Sequence, residues 1–136
     1  MFRRRTKAKK ISHLSEIDEL VATGKPVLLD FMQIGCGPCQ VMDGIINEIS
    51  DEFGDSAHVL KVDSRKVHGA AMKYKVRSTP TLVLLAKPPV KKRKKVRPGD
   101  KPQGERSATQ RWRTTGLVKK DQLQRVMLSN GAVLGG

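Results

Sequence analysis

Cys36 and Cys39 are the only cysteines of the chain, and two residues separate them. At that spacing the sulfurs can close a tight disulfide. In a chain with no secretion signal, a C-x-x-C between a strand and a helix reads as a redox pair. Cys36 precedes a helix opened by Pro38 and Cys39, where unpaired N–H groups and the helix dipole favour a thiolate over a thiol. Cys36 is therefore the expected nucleophile. Cys39, a turn deeper and less exposed, is the thiol that would attack the resulting mixed disulfide. Asp30 is a carboxyl in an apolar run, where burial disfavours the anion, so it could take and return a proton. The plainer alternative is a buried polar group satisfied by Lys61 or water. Pro80 follows Thr79, and X-Pro is the one common site of a cis peptide; the alternative is an ordinary strand-starting proline. His13, His58 and His68 have no ligand spacing with each other or with the cysteines. Two thiolates do not complete a tetrahedral zinc site, so no metal is expected unless two chains share one.

The elements that must position these residues follow from periodicity and punctuation. Val27 to Ile34 is a nearly continuous hydrophobic run ended by Gly35 and Gly37, which predicts a buried central strand and a loop. The helix after it repeats Val41, Met42, Ile45, Ile46, Ile49 and Phe53 at spacings of three and four, and Gly54 closes it. Before the central strand, Ile11–Leu14 predicts a short first strand. Ser15-Glu16-Ile17-Asp18 reads as a capping box opening a helix that stops near Gly24-Lys25-Pro26. After it come a strand over 57–62, a helix over 67–74, a strongly apolar strand over 81–86, a strand over 110–115, a turn at Gly116 and a helix over 119–128. The order β-α-β-α-β-α-β-β-α predicts an α/β protein. Its central mixed sheet carries helices on both faces.

At these residues the chain resembles the thioredoxin family. The resemblance rests on Asp30-Phe31 at the end of the strand, Cys36-Gly37-Pro38-Cys39, and Thr79-Pro80-Thr81, with the family's spacing between Asp30 and Cys36. It covers about residues 11–86 and 110–129. It implies the thioredoxin fold and a protein-disulfide reductase that works by mixed-disulfide exchange and needs no cofactor beyond its own redox-active disulfide. The partners implied are disulfide-containing proteins and an electron donor of the thioredoxin-reductase type. The resemblance assigns Asp30 to assist Cys39, places Lys61 near Asp30, and makes Pro80 cis and packed against the dithiol. Gly35, Gly37, Pro38, Thr79, Pro80 and Gly116 are the implied substrate contacts. The Gly-Pro pair between the cysteines matches the reducing members. The chain departs from the family at Gly35, where the family has Trp, at Met32, where an aromatic residue is common, and at Gly44, where a helix proline is usual.

Charge is the unusual feature of the composition. The net charge is +14, of which residues 1–10 carry +6 and residues 87–113 carry +9, leaving the rest at −1. This predicts a basic arm over 1–10, a domain over 11–129 with a basic insertion over 87–109, and a tail over 130–136. The insertion has too little apolar content to offset the entropy of ordering. Arg3, Arg4, Arg5, Lys91, Lys92, Arg93, Lys94 and Lys95 could neutralise phosphates of nucleic acid or another polyanion, in which case the fold would serve as an adaptor. Solvated tails that aid solubility are the alternative. Trp112 either stacks on a base or partner or packs on the sheet. No segment is apolar and long enough to span a bilayer. The expected location is cytoplasmic and the default state a monomer.

Overall fold

The structure is a computed structural model and describes residues 7–87 and 108–135. Strand β1 (Lys9–Lys10) is followed by α1 (Ser15–Val21), β2 (Val27–Met32), α2 (Gly37–Phe53), a 3-10 turn at Gly54–Ser56 and β3 (His58–Asp63). Helix α3 (Ala70–Lys73), strands β4 (Thr81–Ala86) and β5 (Thr109–Thr115) and helix α4 (Lys120–Ser129) complete the chain. The five strands form one mixed sheet in the order β1-β3-β2-β4-β5. β1, β3 and β2 are parallel, and β4 runs antiparallel to both β2 and β5.

β2 lies at the centre because it is apolar on both faces. Leu28 packs with Met42, Ile46 and Ile49 of α2 and with Leu123 and Met127 of α4. Val27, Leu29 and Phe31 point to the other side, among Ile17 of α1 and Val67 and Ala70 near α3. Alternation along a strand gives each face every second residue, so helices must cover both. Asp30 falls on the same face as Leu28 and lies under α2. Trp112 pairs with Leu84 across the sheet and packs, half-buried, against the α2–α4 core.

Three local expectations need correction. The first strand is Lys9–Lys10, inside the segment read as a basic arm, and not Ile11–Leu14. Ile11 makes one last bond to the Lys61 carbonyl (3.2 Å), but the amides of Ser12 and His13 donate to the Glu16 carboxylate at 2.7 and 2.9 Å and turn away from the sheet. The capping box does not form either. Leu14 occupies the cap position without a side-chain bond, and Glu16 instead accepts the two amides ahead of the helix, which holds its own carboxyl below the usual range. The third helix is confined to Ala70–Lys73, because Gly69 and Lys75 on either side have positive φ, +80° and +55°. Arg113 of β5 caps its end by donating to the carbonyls of Tyr74 and Lys75, so this member of the basic 87–113 stretch has a structural task.

Candidate redox site

The site forms where β2 stops and α2 starts. Cys36 is the N-cap of α2, and the amide of Cys39 donates to its Sγ at 3.2 Å. Pro38 sits in the first turn, where no intrahelical acceptor exists for an N–H. Cys36 and Cys39 are joined in a disulfide with their Cα atoms 5.2 Å apart. Cys36 is half-buried and Cys39 almost fully buried, so an incoming disulfide reaches Cys36 first. Once reduced, Cys36 keeps the Cys39 amide and the α2 N-terminus beside its sulfur, both of which favour the thiolate.

A second loop closes over the pair. The Thr79–Pro80 bond is cis, and the carbonyl of Thr79 lies 3.6 Å from Cys36 Sγ. The amide of Gly116 donates to the Pro80 carbonyl at 2.8 Å, and Thr81 Oγ1 donates to the Ser78 carbonyl at 2.7 Å. The turn after β5 thereby ties Gly116 to Pro80, next to the Thr79 carbonyl that lies against Cys36. Gly35, Gly37 and Pro38 are exposed around it. Gly35 has φ +86° and nothing within 4 Å of where a Cβ would stand. Glycine is therefore demanded there by the backbone and not by crowding. Its neighbour Ile34 is 71% exposed and offers an apolar surface close to Cys36.

Beneath the dithiol, Asp30 and Lys61 are register partners on neighbouring strands, both almost completely buried on the face that α2 covers. Burial pushes the Asp30 carboxyl up to about 7, Lys61 works in the opposite direction, and Asp43 adds to the rise. The reading in which Lys61 satisfies Asp30 is not what the structure shows. The Lys61 ammonium forms its ion pair with Asp43 of α2, and Asp30 Oδ1 has no hydrogen-bond partner among the described residues. Asp43 was missing from the sequence-based set. Its signal was its position, one helical turn after Cys39, which places it on the neighbouring part of the surface that α2 turns toward the sheet.

The three histidines are scattered. His58 Nε2 meets Thr23 Oγ1 at 2.9 Å, and no group of three or more His, Cys, Asp or Glu able to hold a metal exists among the described residues. Arg3, Arg4, Arg5 and Lys91–Lys95 lie outside the described residues. What the structure does place is where those segments attach. Val27 pairs with both His58 and Leu85, and Ala86 with Thr109. The ends of β4 and β5 that lead to the 88–107 segment are thus at the pole opposite Met32 and Cys36. Lys7, Lys9 and Lys25 gather with His58 around one hollow at that end. Burial and then the charges of Lys25 and Lys9 hold the His58 imidazole below its usual range.

Comparison with known proteins agrees with this geometry. The family model described as Thioredoxin matches residues 9–105. The chain is 44% identical over 81 residues to Thioredoxin Y1, chloroplastic, of Arabidopsis thaliana, an alignment covering 60% of this chain and 47% of that one. It is 35% identical over 75 residues to the Thioredoxin of Mycoplasmoides gallisepticum, covering 55% and 74%. The alignments with the thioredoxins Y of Arabidopsis and rice span about half the length of those relatives. Among solved structures, a single-substitution mutant of thioredoxin from Halobacterium salinarum NRC-1 superposes with a TM-score of 0.70 at 25% identity, over 98% of each chain. A disulfide at the start of α2, a cis-proline loop against it and the family match over most of the domain lead to one conclusion: the chain belongs to the thioredoxin family.

Proposed function

We propose that the chain is a thiol–disulfide oxidoreductase that reduces protein disulfides through Cys36 and Cys39. The observation that carries this reading is the placement of Cys36 Sγ, which lies at the N-terminus of α2 against the Cys39 amide and next to the Thr79 carbonyl. In the reduced protein the Cys36 thiolate attacks one sulfur of the target disulfide. The other target sulfur leaves as a thiolate and takes a proton from solvent. The target backbone pairs with Thr79, in a groove walled by Gly35, Gly37, Pro38, Pro80 and Gly116. Cys39 then gives its proton to the Asp30 carboxylate and attacks Cys36 Sγ. The Cys36–Cys39 bond forms, the mixed disulfide breaks, and the second target sulfur leaves and is protonated. Two electrons have passed to the target, and a reductase-type donor returns two to the disulfide. The reading places the protein in a reducing compartment such as the cytoplasm; no helix among the described residues is long and apolar enough to cross a membrane.

The experiment is to trap the intermediate. Cys39→Ser should accumulate mixed disulfides with target proteins that thiols release, whereas Cys36→Ser should form none and reduce nothing. The wild-type couple should equilibrate below the glutathione poise of roughly −220 to −260 mV. A potential well above that poise would replace reductase with oxidant.

A second reading, compatible with the first, is that the remote pole binds a polyanion. Its support is the grouping of Lys7, Lys9 and Lys25 with His58 and a single acid, Asp55, around one hollow at the end of the sheet where the 88–107 segment attaches, with Lys9 also reaching Glu16. Such binding is sequence-independent and falls steeply with salt. Retention on heparin that does not weaken between low and moderate salt would remove it.

A further inference from the structure

Three charged groups share the space under α2, and only one of them is a cation. Asp30 and Lys61 face α2 from neighbouring positions of β2 and β3, and Asp43 reaches them from α2 itself. Of Asp30's other neighbours, its β4 register partner Leu82 is apolar, and the start of α2 contributes the Cys36–Cys39 pair. One ammonium cannot pair fully with two carboxylates, so its choice decides which carboxylate carries charge. Lys61 chooses Asp43, whose side chain is 48% exposed, and leaves the Oδ1 of fully buried Asp30 without a partner. The choice has a physical reason. An ionised Asp43 keeps part of its hydration, whereas ionising Asp30 would strip a carboxylate of nearly all its water, a cost that one partly shared cation does not recover.

We propose that Asp43 is a positioning residue: by holding the Lys61 ammonium it keeps that cation off Asp30, and so sets the pH at which Asp30 releases and takes its proton. As a pair, Lys61 and Asp43 present opposite charges to Asp30, and their fields largely cancel there. With Asp43 neutral, Lys61 would be a buried cation without a partner, one strand away from a buried carboxyl. It would pull Asp30 into ionisation at a lower pH. The value to the chemistry rests on the reading of the chain as a disulfide reductase. A carboxyl that titrates near neutral pH both accepts the Cys39 proton and gives it back. One that ionises at a lower pH is a weaker base toward the Cys39 thiol.

The test follows the Asp30 side-chain carboxyl by carbon-13 NMR across a pH titration of the oxidised full chain. Asp43→Asn should lower the Asp30 midpoint by on the order of one pH unit, and Asp43→Glu should restore it. Adding Lys61→Met to Asp43→Asn should bring the midpoint back up to or above that of the wild type. An unchanged midpoint in Asp43→Asn overturns the proposal. Lys61→Met alone asks the same question from the other side if Asp43→Asn fails to fold. A rise on the order of one unit is expected, because Asp43 then faces Asp30 uncancelled, and an unchanged or lowered midpoint also overturns it. The titration needs no substrate, so it stands or falls separately from the activity. In single-turnover reduction, the acid limb of the Cys39 resolving step should move with the midpoint. A shifted titration in a protein that reduces no disulfide would uphold Asp43 as the positioning group and reject the reductase.

Discussion

Asp30 is the residue at which burial and chemistry oppose each other. Its carboxyl ionises at 3.8 when solvated and at about 7 in the folded protein, and burial is the main cause. Between those values the folded chain keeps a proton that the unfolded chain releases. Stability from this group is therefore complete below about pH 4 and is lost as pH rises through about 7. Asp30→Asn removes that loss. Denaturant melts should show the variant gaining on the wild type as pH rises, by on the order of 2–4 kcal/mol at pH 8, with little or no gain at pH 4. An equal gain at both pH values would mean that packing, not ionisation, is responsible. On the proposed reductase reading, the same substitution should slow the resolving step, since Cys39 would lose its proton acceptor.

At the scale of elements, two glycines near the dithiol have opposite meanings. Gly44 lies in the interior of α2 with open space where a Cβ would go. Gly44→Ala should therefore stabilise the protein by about 0.5–1 kcal/mol, because alanine gives up less backbone entropy in a helix. Gly35 is equally uncrowded but holds φ +86°, a conformation in which a Cβ approaches the following carbonyl. Gly35→Ala should cost about 1–2 kcal/mol. Thermal or denaturant unfolding of the two variants checks both signs. The departure from the family's Trp at this position thus cannot be reverted as a change of side chain alone, because the loop backbone would have to change as well. The joint between the helices has its own ties. Lys120 of α4 reaches Glu48 and Glu52 of α2 at 3.0 and 3.1 Å, and Gln124 adds two bonds to Glu52. These partly exposed contacts set the register of α4 on α2, while the buried Met42, Leu123 and Met127 supply the larger share of the stability.

At the scale of the whole molecule, the dithiol and the attachment points of the 88–107 segment lie at opposite ends of the sheet. The dithiol occupies the end at which β2 and β3 finish, and the 88–107 segment is attached where β4 ends and β5 begins. Ala86 and Thr109 are direct partners across the sheet, so a short turn can join them. Replacing 88–107 with a Gly-rich turn should leave the rate of disulfide reduction and the reduction potential within about twofold and about 10 mV of the wild type, while heparin retention moves to lower salt. A large loss of reduction would show that the segment reaches the dithiol.

Much of this was legible in the sequence because the signals were local or strongly periodic. The apolar run over 27–34, the three-and-four spacing of α2, the Cys-Gly-Pro-Cys turn and Thr79-Pro80-Thr81 each point to one local structure. Together they led to the α/β fold and to the residues around the dithiol. The beginning of the chain was less legible. Lys9 and Lys10 look like part of a charged arm, yet the backbone bonds that β3 offers at its open edge recruit them as a strand whatever their side chains. Ser15 likewise does not cap α1: Leu14 holds the cap position, and Glu16 turns back to the amides of Ser12 and His13 ahead of the helix. What only the tertiary structure decided was the pairing of charges between elements far apart in the chain: Lys61 with Asp43, and Arg113 with the end of α3. Sequence names every carboxylate and cation. Which of them meet depends on the register of the strands and the rotation of a helix above them, and on the balance between the cost of desolvating each group and the charge it finds there.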